Sequence, residues 1–116
     1  MKKILIINSD SDTLNLLKSW LEKKEYNVKY TTNLTEVTGI INDYSPDLLL
    51  VDALEIDVLR EIKSLVKSKK IPVILMTGHT INDEHKDVHF ADDVIEKPFT
   101  PKLLGKKIDA FLKKTG

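Results

Sequence analysis

Four short polar stretches each follow an apolar run: Asn8-Ser9-Asp10, Asp52, Thr77-Gly78 and Lys97-Pro98. An acid, a hydroxyl and an ammonium set at neighbouring strand ends form a polar cluster at one edge of a sheet. Two kinds of chemistry are open to them. Asp52 and Lys97 can form a structural ion pair, and Thr77 can satisfy a backbone group at its strand end. The same groups can instead hold a ligand, because open parallel α/β sheets bind outside the carboxyl ends of their strands. A second candidate is His85 and His89, spaced i, i+4, with His79 nearby. One helical face could present that pair to zinc, but no third ligand is indicated, so solvent-facing histidines are the expectation.

The elements that must position these groups are legible from the hydrophobic pattern. Ile4-Ile7, Leu48-Val51 and Val73-Met76 are short, continuous apolar runs of the kind buried on both faces of a parallel sheet. Val28-Thr31 suits a half-exposed strand, and Asp93-Glu96 a short one. Between them, Leu14, Leu17 and Leu21, then Val37, Ile40, Ile41 and Tyr44, then Leu59, Ile62 and Val66 recur at helical spacing. Asn33 or Thr35 is a cap for the second helix. Thr100 caps the last one, with Pro101 at its first position and Leu104, Ile108, Phe111 and Leu112 on its buried face. Residues 80–91 carry a weaker helical pattern. The β-α unit thus repeats five times, which implies a parallel sheet covered on both faces.

The totals bound the rest. A chain of 116 residues is one ordinary domain, and residues 1–116 read as a single unit with nothing left for an effector domain. Eighteen basic residues balance eighteen acidic ones, so no whole-chain field favours nucleic acid or an anionic membrane. The absence of cysteine excludes disulfides and thiolate chemistry. No apolar run approaches the ~20 residues of a membrane span. A cytoplasmic location is expected. The Lys23-Lys24, Lys69-Lys70, Lys106-Lys107 and Lys113-Lys114 pairs read as solvated helix ends. Trp20 reads as packing.

The order Pro46-Asp47-Leu48-Leu49-Leu50-Val51-Asp52, Ile71-Pro72-Val73-Ile74-Leu75-Met76-Thr77 and Lys97-Pro98-Phe99 closely resembles the receiver family of response regulators across the whole chain. The resemblance implies a three-layer, doubly wound (βα)5 flavodoxin-like fold with a five-stranded parallel sheet in the order 2-1-3-4-5. It also implies a signalling module of two-component phosphorelays rather than an enzyme. Asp52 would match the phosphoacceptor, Thr77 the switch hydroxyl, and Lys97 the lysine that pairs with the phosphoryl group. The bond before Pro98 would be cis. Asp10, Asp52 and Leu54 are the positions that would contact Mg²⁺.

The sequence departs from the family in three places. Asn8 and Ser9 stand where the family places two adjacent acids, so Mg²⁺ affinity should fall and Lys97 could neutralise Asp52 alone. The stretch from Asp52 to Val58 runs almost directly into the third helix, where the family has a longer loop, leaving Glu55 or Asp57 as substitute carboxylates. Val94 stands where the family often has an aromatic residue coupled to the hydroxyl.

The expected function is an atypical, stand-alone receiver acting as a protein-interaction module. Its Mg²⁺-dependent phosphorylation would be impaired or absent, and no other cofactor is implied. A sensor histidine kinase or another signalling protein is the expected partner, with no nucleic acid or membrane. A homodimer through the 81–112 face is a further expectation. Two alternatives stand beside this reading. Asp52 could be a functional phosphorelay acceptor with a rearranged metal site. Or the chain could be a small flavodoxin-like flavin- or nucleotide-binding protein, although Asn8 to Thr13 contains no glycine for a phosphate loop.

Overall fold

The computed structural model describes residues 1–8, 11–53, 56–78 and 91–112. Within them the order is β1 (Lys3–Ile7), α1 (Ser11–Lys23), β2 (Asn27–Thr31), a 3₁₀ turn (Leu34–Glu36), α2 (Val37–Tyr44), β3 (Leu48–Asp52), α3 (Ile56–Lys69), β4 (Val73–Thr77), β5 (Asp93–Glu96) and α4 (Pro101–Phe111). The five strands form one sheet in the order β2-β1-β3-β4-β5, and every neighbouring pair is parallel. This is the expected doubly wound architecture. The further helix expected between β4 and β5, with His79, His85 and His89, lies outside the described residues.

The three central strands are apolar apart from the end residues Lys3, Asp52 and Thr77, because both of their faces are covered. Alternate side chains go to opposite layers. Ile4, Ile6, Leu48 and Leu50 pack with Leu14, Leu17 and Leu21 of α1 and with Leu104 and Ile108 of α4. Leu5, Ile7, Leu49 and Val51 pack with Val37 and Ile41 of α2 and with Leu59, Ile62 and Val66 of α3. Each such side chain contributes about 1.5–3 kcal/mol by leaving water. Truncating one, as in Leu50→Ala, costs about 2–5 kcal/mol once the cavity is included. Trp20 is partly buried against the first layer, as a packing residue should be.

Helix boundaries follow local chemistry. Of the two candidate caps before α2, Asn33 takes the role: its Oδ1 accepts from the Thr35 N–H at 3.1 Å, and the 3₁₀ turn it caps leads into α2. Thr100 Oγ1 accepts from the Leu103 N–H at 3.1 Å, with Pro101 opening α4. At the far ends, Glu25 and Lys70 adopt φ of 68° and 56°. After α1, Tyr26 N–H donates to Leu21 O and Glu25 N–H to Glu22 O. After α3, Ile71 N–H donates to Val66 O and Lys70 N–H to Lys67 O. Both are left-handed terminations of the Schellman type, here built without glycine.

Two of the lysines expected at solvated helix ends also have partners. Lys107 Nζ lies 3.1 Å from both carboxylate oxygens of Asp93, tying α4 to β5. Lys24 Nζ lies 3.5 Å from Asp109 Oδ2. These contacts join segments distant in sequence, so the local pattern gave no sign of them.

Candidate functional site

The parallel register places the polar residues in a row. Ile7 pairs with Val51, so the next rung sets Asn8 beside Asp52. Asp52 pairs with Met76, and Thr77 with Glu96. One bond extends the ladder further: the Lys97 N–H donates to the Thr77 carbonyl at 2.7 Å. The peptide bond between Lys97 and Pro98 is cis, as the resemblance implied. Phe99 then packs against the first core layer, anchoring the loop to α4.

Asn8, Asp52 and Thr77 are all buried. The carboxylate of Asp52 has 3% of its side-chain surface exposed, whereas the Lys97 side chain keeps 33%. Lys97 Nζ donates directly to Asp52 Oδ2. A buried carboxylate is costly unless it is paired and hydrogen-bonded. The ammonium supplies that pairing, and its partial exposure limits the cost of desolvating it. Of the three principal residues expected at this site, Asp52 and Lys97 touch through their side chains. Thr77 adjoins them through its strand and through the backbone bond to Lys97.

At the β1 corner the described residue is neutral. Asn8 follows β1 with its side chain buried, and its N–H donates to Thr31 O at 3.3 Å. It offers a carboxamide where a metal pocket would want a carboxylate. Among the described residues no group of three or more His, Cys, Asp or Glu side chains is arranged to hold a metal. The described groups at this edge are one carboxylate, engaged by an ammonium, with an amide and a hydroxyl. Asp10, Leu54 and Glu55 lie outside the described residues. Asp57 does not serve as a substitute ligand, since it is exposed and pairs with Arg60 at 3.0 Å.

Val94 is half-buried against the second core layer. Leu103, in the first turn of α4, and Phe111, at its far end, are 44% and 37% exposed. Residues 81–90 of the expected dimer face lie outside the described residues. No helix among the described residues is long and apolar enough to cross a membrane.

A doubly wound sheet with an acid, a hydroxyl and a lysine at its carboxyl edge defines a receiver-type signalling domain. The comparisons give the family: the response regulator receiver domain profile matches residues 4–109, and the chain belongs to that family. It is 30% identical over 122 residues to the phosphate regulon transcriptional regulatory protein PhoB of Pseudomonas aeruginosa, covering 99% of this chain and 53% of that protein. The chain spans about half the length of the curated relatives it matches. A CheY-like receiver domain from Methanospirillum hungatei superposes with a TM-score of 0.86 at 26% identity, covering 98% of this chain and 95% of that one. The response regulator TrrA of Thermotoga maritima, solved in complex with Mg²⁺-BeF, gives a TM-score of 0.83 at 24% identity, covering 96% and 99% of the two chains. Receiver domains act in two-component signal transduction, bind Mg²⁺, and interact with histidine kinases and other signalling proteins.

Proposed function

We propose that residues 1–116 form a single atypical receiver that works chiefly as a protein-interaction module, with weakened Mg²⁺-dependent phosphorylation at Asp52. The observation that carries this reading is the buried Asp52–Lys97 pair beside a neutral Asn8. The carboxylate is neutralised by the protein's own ammonium, and the next rung holds an amide instead of an acid. Thr77 and Lys97 are the phosphoryl-contacting residues in this reading. A sensor histidine kinase or another signalling protein in the cytoplasm is the partner.

Residual phosphoryl transfer is a second reading, favoured by the approach of Asp52, Thr77 and Lys97 to one corner. An oxygen of the Asp52 carboxylate would attack phosphorus, and the bond to the donor's leaving group would break with its electron pair. The product is an acyl phosphate. Positioning and charge neutralisation carry such a transfer, and Lys97 is placed to neutralise. The flavin- and nucleotide-binding alternative has no observation behind it.

Intact-mass measurement after incubation with a small-molecule phosphoryl donor, with and without Mg²⁺, separates these readings. Little or no adduct from folded protein supports the interaction module. A rapid Mg²⁺-dependent adduct, absent from Asp52→Asn, would overturn it and make Asp10 the first metal ligand to test.

A further inference from the structure

Two features of the sequence have no part in the Asp52 site: Trp20, the one tryptophan of the chain, and the Lys23-Lys24 pair. Trp20, Lys23 and Lys24 stand at i, i+3 and i+4, at the end of α1 and just beyond it, so they share one side of the helix. Pro101, Lys102 and Leu104, in the first turn of α4, stand opposite. Together they line a groove of about 400 Å³ between the two helices. Part of Trp20 is buried against the first core layer, and the rest lines the groove.

The groove offers one aromatic plate with a cation from each helix. Leu21 and Leu104 are each 1% exposed, so they form only its floor. Trp20 and Pro101 supply its apolar walls. Lys24 does not fill the space. Its ammonium lies across α4 above Gly105, where any Cβ would collide with it, and reaches Asp109 Oδ2 at 3.5 Å. That leaves Lys23 on α1 and Lys102 on α4. Both are exposed, and among the described residues neither takes part in an ion pair. No acid among the described residues lines the groove.

We infer that this groove binds a nucleoside polyphosphate, its base stacked on Trp20 over the leucine floor and its phosphates held by Lys23 and Lys102. Every base presents a flat face to an aromatic ring, and lysine holds phosphate as a point charge. The volume is that of a small-molecule site. One ring and one proline give too little apolar surface for a partner helix, which needs anchors on successive turns. Charge alone would hold inorganic triphosphate equally well, so stacking is what selects the nucleoside. No bond forms or breaks, and the role is that of a sensor. The groove shares no residue with the Asp52 site, so this inference and the phosphorylation reading can each fail alone.

Because Trp20 is the one tryptophan, its emission reports on the groove directly. The test is a fluorescence titration of the full chain with ATP in Mg²⁺-free buffer, with adenosine and inorganic triphosphate as controls. ATP should change the emission saturably, and each control should bind at least about tenfold more weakly. Lys23→Gln/Lys102→Gln should weaken ATP binding about tenfold, whereas Lys102→Arg should retain it. By isothermal titration calorimetry, Trp20→Phe should keep most of the affinity and Trp20→Ala should lose most of it. Asp52→Asn should leave binding unchanged. Circular dichroism and the urea midpoint report whether each variant is folded. Absence of saturable binding, equal binding of inorganic triphosphate, or indifference to the lysine substitutions would overturn the inference. So would loss of binding in Asp52→Asn, or tighter binding of a glutamate-rich peptide than of ATP.

Discussion

The backbone N–H of Lys97 donates to the carbonyl of Thr77 at 2.7 Å, so the lysine continues the β4–β5 ladder one residue beyond the strand. Its side chain then reaches the carboxylate of Asp52, the residue that ends β3. The position of the ammonium is therefore set by sheet register as well as by attraction to the acid.

Removing the ammonium should expose the cost of the buried acid. Lys97→Ala leaves a carboxylate that is 3% exposed without its cation. The pair lies between the fully buried and surface limits, so the loss should be about 2 kcal/mol. Asp52→Asn added to Lys97→Ala should recover part of it, because the amide no longer carries a charge. Urea unfolding at neutral pH measures both, and an unchanged midpoint for Lys97→Ala would show that the pair contributes nothing to stability.

Asn8→Asp should create a demand for metal. The substitution sets a second carboxylate on the rung beside Asp52. Like charges at that separation destabilise the folded protein by about 1 kcal/mol or more. Millimolar Mg²⁺ should restore the loss, and the wild type should respond less. The observable is Tm with and without Mg²⁺; equal responses would mean that residue 8 does not set the metal requirement.

Alkaline pH should loosen the join between α1, β2 and α4. Tyr26 is buried, and its hydroxyl donates to Asp109. Burial first, then the hydrogen bond and the negative charge of Asp109, push its pKa above the ordinary value of 10.0. A raised folded pKa means that the unfolded chain releases this proton more readily. The contribution is therefore complete below about pH 10 and is lost as pH rises toward the folded-state pKa. Tyr26→Phe should flatten the decline in unfolding free energy above pH 10, and parallel curves for the two proteins would refute the assignment.

Glu25→Gly should stabilise the protein. Glu25 holds φ of 68° in the termination of α1. An L side chain pays about 1 kcal/mol there, whereas glycine does not. Glycine's greater freedom in the unfolded chain returns part of the gain, leaving about 0.5 kcal/mol. Glu25 is exposed, so no packing is lost. A lower urea midpoint would show that the side chain has a stabilising contact that outweighs its backbone strain.

The sheet was readable because its signal is local. The runs Ile4–Ile7, Leu48–Val51 and Val73–Met76 are apolar on successive residues, a pattern imposed by burial on both faces. The polar row at the carboxyl edge followed from topology, since each candidate ends or follows a strand. Reading failed where the information was in side-chain reach. The Asp52–Lys97 pair, 45 residues apart, was expected from the two strand ends, whereas the contact of Tyr26 with Asp109, 83 residues apart, was not. Nothing in the spacing of Tyr26 and Asp109 encodes contact. Lys107 illustrates the same limit: as a member of a lysine pair it looked solvated, yet it faces Asp93 once β5 lies against α4. The choice of Asn33 over Thr35 as cap was equally hidden, because both residue types can cap a helix.

The outer strand β2 has a consequence for behaviour at high concentration. It is an edge of the sheet, where unpaired backbone groups can template strand addition from another molecule. Lys29 projects from this edge with its ammonium 5.7 Å from the centre of the Tyr44 ring, and Tyr30 next to it has Lys18 at 5.6 Å. A neighbouring strand could pair here only by dehydrating these cations. The edge thus carries its own guard against fibre growth, and replacing Lys29 with valine would turn β2 into a seed for aggregation.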